Sequence, residues 1–127
     1  MPSHEDFIFK GTYDNQLVGK SHWSAPSNIA LVKYWGKKEN QIPANPSISF
    51  TLNSCKTETA LAFSAKQSEN HFSFDFLFEG QPKESFRPKI EKYFERIAPY
   101  CSYIKDFHFA IDSLNTFPHS SGIASSA

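Results

Sequence analysis

The sequence carries no excess of charge of either sign. Thirteen Lys and Arg residues stand against thirteen Asp and Glu in 127 residues, so the formal net charge is zero. The basic footprint of a nucleic-acid binder is therefore missing, as is the acidic bias of a solvating tail. Cysteine is scarce. Cys55 and Cys101 lie far apart with no CxxC or metal-ligand spacing, which argues against a disulfide framework and for two passive thiols in a reduced compartment. Long apolar runs are absent too. Ile29-Ala30-Leu31-Val32, the longest in the first half, falls far short of the roughly 20 residues that a spanning helix needs. The first six residues, MPSHED, are polar and acidic, the wrong charge for the start of a signal peptide. A cytoplasmic protein with no membrane partner is the expectation.

What the chain does have is phenylalanine: thirteen of them, with aromatics at 16% against a modest 39% hydrophobic content. Each buried aromatic removes roughly 150–250 Å² from water, so a real core is within reach and disorder is not expected. At 14.4 kDa the chain fits one domain.

Periodicity places the elements. Residues 1–23 mix short apolar pieces with turn formers and read as two short strands or a loosely ordered arm. Residues 24–38 form an apolar segment entered through Pro26 and closed by Gly36, followed by a sharply bending loop over 40–47 with Pro43 and Pro46. Ile48, Phe50 and Leu52 alternate with polar residues, which predicts a strand with one buried face, and residues 57–64 continue in the same manner. Phe72, Phe74, Phe76 and Phe78 share one side of the clearest strand, which residues 79–82 break as a turn. Phe86, Ile90, Tyr93, Phe94 and Ile97 then follow helical spacing, with Ser85 at or before the N-cap and Pro88 in the first turn. Phe107, Phe109 and Ile111 mark a last strand, and residues 115–127 form a Pro/Gly/Ser-rich loop leading into a helix start. The order is α+β, with no internal repeat or linker.

Two stretches carry chemistry. In residues 118–127, PHSSGIASSA, small residues lead from a strand toward a helix. Free backbone N–H groups at the positive end of a helix dipole suit phosphate there, and Ser hydroxyls can bind phosphate oxygens or Mg²⁺. Yet the loop lacks the Gly-Lys-Ser/Thr ending of a P-loop and any GxGxxG pattern, and the same composition serves plain connections. The second stretch is Lys33-Tyr34-Trp35-Gly36-Lys37-Lys38. Lys33 and Lys37, four apart around a glycine turn, can clasp a polyanion or can simply be solvated. Trp35 is an odd neighbour for a solvated turn.

Taken together, these stretches resemble a known family. Residues 25–37, APSNIALVKYWGK, are similar to the N-terminal signature of diphosphomevalonate decarboxylases in the GHMP small-molecule kinase superfamily. Pro43-Ala44-Asn45-Pro46-Ser47-Ile48-Ser49 with Thr51-Leu52 continues the resemblance, and Asn115 with residues 117–127 resembles the family's phosphate loop. The Lys-Tyr-Trp-Gly-Lys element and Ala124 favour the decarboxylase branch over the kinases. His119-Ser120-Ser121, Ile123 and Pro46 depart from the usual pattern.

The resemblance implies a GHMP-type (ribosomal S5 domain 2-like) N-terminal domain over residues 1–127, partial and ending in its phosphate loop, with the C-terminal domain absent. It implies a lyase that uses ATP and Mg²⁺ to decarboxylate mevalonate diphosphate to isopentenyl diphosphate, in isoprenoid biosynthesis. Lys33 is the catalytic residue by this resemblance. Tyr34, Trp35, Gly36, Lys37 and, by a weaker match, Arg87 contact the substrate; Asn28, Ser120, Gly122, Ser125 and Ser126 contact the nucleotide. The family's catalytic Asp has no counterpart among Asp75, Asp106 and Asp112, and His22, His71, His108 and His119 have no metal spacing. The isolated segment is therefore expected to be inactive, and a homodimer is open to the full-length protein. A GHMP-family kinase, or a non-catalytic binding domain of the same fold, stands as the alternative.

Overall fold

A computed structural model of the chain describes residues 1–32, 35–119 and 121. Five strands and one α-helix are seen among them: β1 (Gly19–Val32), β2 (Ile48–Ala65), β3 (Ser73–Phe78), β4 (Gln81–Pro82), α1 (Arg87–Ile97) and β5 (Phe107–Asn115). The strand order is β1-β2-β5-β3-β4. β3 runs parallel to β5 and antiparallel to β4, so the sheet is mixed and the α+β expectation holds. The chain divides into two compact units. The first holds Met1–Trp23 and Thr59–Ser113; the second holds Ser24–Glu58 and the segment from Leu114 onward.

The first unit is built on aromatic alternation. Period two sets Phe74 of β3 on the same side as Phe72, just ahead of the strand, and puts Phe107 and Phe109 on one face of β5. All four are buried with Phe94 and Ile104. Phe94, the inward residue of α1, meets Phe72, Phe74 and Phe109 edge-on, at centroid distances of 5.6, 5.3 and 5.8 Å. Edge-to-face packing suits the ring quadrupoles, and each buried ring stabilises by roughly 1.5–3 kcal/mol. Phe76 and Phe78 stack instead on Phe86, just ahead of α1.

Several boundaries differ from the sequence expectation. The turn expected over residues 79–82 is tighter. Glu79 (φ 54°) and Gly80 (φ 76°) alone reverse the chain, and Gln81 and Pro82 already pair with Phe78 and Leu77. Two consecutive left-handed residues form the turn that matches strand twist. Pro88 does lie in the first turn of α1, and Ser85 directly precedes the N-cap, which is Phe86. A 3-10 turn over Glu84–Phe86 leads in, and Phe86 is already helical, so no extended residue is left to cap. Residues 1–23 are strand only from Gly19 on, where β1 begins. His4–Phe7 is a 3-10 turn in which the Ser3 N–H donates to Asp6 Oδ2 at 2.6 Å. The arm is then pinned by Phe9 N–H to the Tyr100 carbonyl at 2.7 Å, and by the Tyr13 hydroxyl donating to the Asp106 carboxylate.

In the second unit, Pro26 lies inside β1 rather than at its entrance. An edge strand tolerates this, since one side of its backbone needs no donor. The strands expected at 48–53 and 57–64 are one continuous β2. Its expected buried face is not buried at the start: Ile48 and Phe50 remain 62% and 60% exposed. Alternation sets which way side chains point and leaves open what covers them. Among the described residues, no helix is long and apolar enough to cross a membrane.

Candidate functional site

In the second unit, residues 35–46 fold into a laced loop, and the lacing follows from local sequence. Gly36 takes φ +101°, a conformation that disfavours any side chain, and a Cβ there would meet nothing within 4 Å. The chain returns through the 3-10 turn Glu39–Gln41, where Asn40 adopts φ 57°. Lys38 N–H donates to the Ile42 carbonyl at 2.6 Å, Ala44 N–H to the Gly36 carbonyl at 3.1 Å, and Lys37 bridges to Pro43. Asn45 closes the loop: its Oδ1 accepts from Trp35 N–H at 2.6 Å, and its Nδ2 donates to the Pro46 carbonyl at 2.9 Å. On this frame Trp35 stands 90% exposed and Lys37 is exposed beside it. An exposed lysine and an exposed indole on one braced turn suit an anionic group carried on an organic body.

The approach to the Ser/Gly loop is also fixed. Thr116 N–H donates to the Lys56 carbonyl at 2.9 Å, while its hydroxyl accepts from Lys56 N–H and donates to the Ser54 carbonyl, both at 3.0 Å. Phe117 is buried. The Asn115 Oδ1 accepts from the Thr57 hydroxyl at 2.8 Å, but its buried Nδ2 has no partner among the described residues. Such a donor carries a free-energy penalty until an acceptor reaches it. Asn28 lies exposed on β1 in the same unit. Lys33, Tyr34, Ser120, Gly122, Ser125 and Ser126 lie outside the described residues.

Arg87 belongs to the first unit, where its contacts are with the core edge. Its guanidinium lies 4.4 Å from the centroid of the Phe74 ring, Nη1 donates to the Phe74 carbonyl at 3.4 Å, and Nε is 3.3 Å from Glu91. The same unit contains a polar chain that sequence spacing concealed. The parallel register sets Ser73 beside His108. Ser73 Oγ and His108 Nδ1 are hydrogen-bonded at 2.8 Å, His108 Nε2 is 3.3 Å from Asp75, and Ser68 donates to Ser73 at 3.2 Å. These residues line a cavity of about 470 Å³. In the 3-10 turn Ser102–Lys105, a hydrogen bond from Tyr103 to the Cys101 thiol, reinforced by burial, pushes the phenol up to about 12. The carboxylate of Asp106 likewise raises Tyr13.

Against known proteins, residues 25–127 match the diphosphomevalonate decarboxylase-like N-terminal domain. The chain belongs to that family. A diphosphomevalonate decarboxylase of Debaryomyces hansenii is 33% identical over 120 residues, covering 87% of this chain and 31% of that protein. Among solved structures, mevalonate diphosphate decarboxylase from Staphylococcus aureus superposes with a TM-score of 0.72 at 35% identity. The match covers 87% of this chain and 33% of the other. The enzyme from Enterococcus faecalis, described for mevalonate diphosphate-mediated ATP binding, gives 0.70 at 29% identity, covering 86% and 33%. A further structure, MDDEF with MVAPP, AMPPCP and magnesium, gives 0.68 at 30% identity, covering 87% and 33%. The chain thus spans about a third of the length of its decarboxylase relatives. The laced loop and the approach to the Ser/Gly loop both fall within the matched family domain.

Proposed function

We propose that this chain supplies the N-terminal, GHMP-type part of an ATP- and Mg²⁺-dependent decarboxylase that converts mevalonate diphosphate to isopentenyl diphosphate. The observation that carries this is the laced loop, which holds Trp35, Gly36 and Lys37 of the family signature in one rigid, exposed turn. Lys37 supplies the charge for the substrate diphosphate, and Tyr34, Trp35 and the Gly36 backbone line it. Lys33 steadies charge that develops as the tertiary hydroxyl is activated and carbon begins to bear positive charge. ATP supplies the phosphoryl group that turns this hydroxyl into a leaving group.

The chain's own chemistry fits a polyphosphate, because the buried Asn115 Nδ2, just ahead of the Ser/Gly loop, is a donor with no acceptor among the described residues. Asn28, Ser120, Gly122, Ser125 and Ser126 hold the nucleotide phosphates in this reading. Arg87 keeps its place as a diphosphate contact only by resemblance, since its observed partners are Phe74 and Glu91. The catalytic carboxylate comes from the other two thirds of a full-length enzyme. Cytoplasmic residence accords with the free thiols of Cys55 and Cys101.

The full-length protein is expected to release CO₂ from mevalonate diphosphate only with ATP and a divalent cation. Lys33→Ala should mainly lower kcat, and Lys37→Ala mainly raise KM for the diphosphate substrate. ADP formation without CO₂ would move the assignment to a small-molecule kinase.

A further inference from the structure

We infer that Asn45 is a positioning residue for diphosphate recognition: it holds the Trp35–Lys37 turn in its binding shape without touching the ligand. This rests on the reading of that turn as the diphosphate site. Gly36 at φ +101° lies in a region that is entropically open to glycine, so the turn needs a restraint from outside itself. Asn45 provides one on the side ahead of the glycine. Its Oδ1 takes the Trp35 N–H at 2.6 Å, one residue ahead of the glycine, and its Nδ2 anchors to the Pro46 carbonyl at 2.9 Å. Neighbouring Ala44 N–H reaches the Gly36 carbonyl at 3.1 Å, so residues 44 and 45 together grip the turn by its backbone. The anchor is itself stiff, because a residue before proline is confined to extended backbone. Both the oxygen and the nitrogen of the Asn45 side-chain amide are thus engaged within the protein. Preorganisation of this kind improves affinity by reducing the ordering cost of binding.

The test is a double-mutant cycle in the full-length enzyme, with KM for mevalonate diphosphate, KM for ATP and kcat measured for each variant. Asn45→Ala should raise KM for the diphosphate substrate about tenfold, the equivalent of one well-placed hydrogen bond, and leave kcat and the KM for ATP within about twofold. In a Lys37→Ala background the same change should add less than about twofold, because a turn without its cation gains little from being held. Should Asn45→Ala fail to fold, Asn45→Ser carries the same cycle. Additive effects of Asn45 and Lys37 would overturn the inference, as would an unchanged KM in Asn45→Ala beside a raised one in Lys37→Ala. If Lys37→Ala itself leaves KM unchanged, the diphosphate reading of the turn fails first, and this inference falls with it.

Discussion

Replacing Arg87 with alanine separates two roles that the same side chain is assigned. The structure gives it three contacts whose strengths differ. Stacking on Phe74, which is only 3% exposed, is partly desolvated, so the cation–π term is about 1–1.5 kcal/mol. The bond to the Phe74 carbonyl is long at 3.4 Å and falls at the weak end, about 0.5 kcal/mol. The Glu91 pair has both partners more than a third exposed, so water screens it to about 0.3 kcal/mol. Arg87→Ala should therefore cost about 1.5–2.5 kcal/mol, a noticeable part of the roughly 5–15 kcal/mol that holds a typical domain. Urea denaturation of the 127-residue polypeptide, followed by circular dichroism, measures this directly. Arg87→Lys should recover the charge but less than half of the loss, since an ammonium lacks the planar face that stacks. Combined with Phe74→Leu, Arg87→Ala should then cost less than it does alone. An unchanged urea midpoint for Arg87→Ala would refute the contact arithmetic. A raised diphosphate KM in the full-length enzyme with that midpoint unchanged would return Arg87 to the substrate site.

Gly36→Ala tests conformation free of crowding, because a Cβ there meets nothing within 4 Å. The strain of the left-handed turn, about 1–2 kcal/mol, should appear as a roughly tenfold higher diphosphate KM with little change in kcat. Wild-type KM in that variant would show that the turn's shape is dispensable. Tyr103 makes stability depend on alkaline pH. Its phenol is raised from 10.0 to about 12 in the folded chain, so its contribution is complete below pH 10 and is lost as pH climbs to about 12. Denaturant midpoints should fall across that window, and Tyr103→Phe should flatten the fall. An equal fall in both proteins would place its cause elsewhere.

The period-two and helical patterns of the phenylalanines were enough to read β3, β5 and α1 from the sequence, because burial of large rings dominates those elements. Phe94 at the centre of the core follows from the same pattern. Continuity of β2 was not legible, since polar residues at 53–57 look like a break when no partner strand is known. The two-residue reversal at Glu79 and Gly80 was blurred for a similar reason: Pro82 reads as a turn former until β3 supplies a pairing partner for the short strand. At the candidate site, the Lys, Trp and Gly of the turn were visible through family resemblance. Asn45 lay in the same resemblance without a role, because its bond to Trp35 spans ten residues and has no periodic trace. The Ser73–His108–Asp75 chain needed the parallel register of β3 and β5, which no local pattern encodes.

The strand order has a consequence in time. β5 follows both β2 and β3 along the chain, yet it takes a place between them. Until it arrives, those two strands have no shared partner, and each presents an unpaired edge. The β3–β4 hairpin and α1 can assemble early from neighbours in sequence, whereas the Thr57–Asn115 bond closes a separation of 58 residues. Folding is thus set by a late insertion rather than by growth from one end, and contacts of such long range are slow to form. The newborn chain passes through an interval in which its Phe-rich edge is open to other chains, and the speed of β5 docking decides how long that interval lasts.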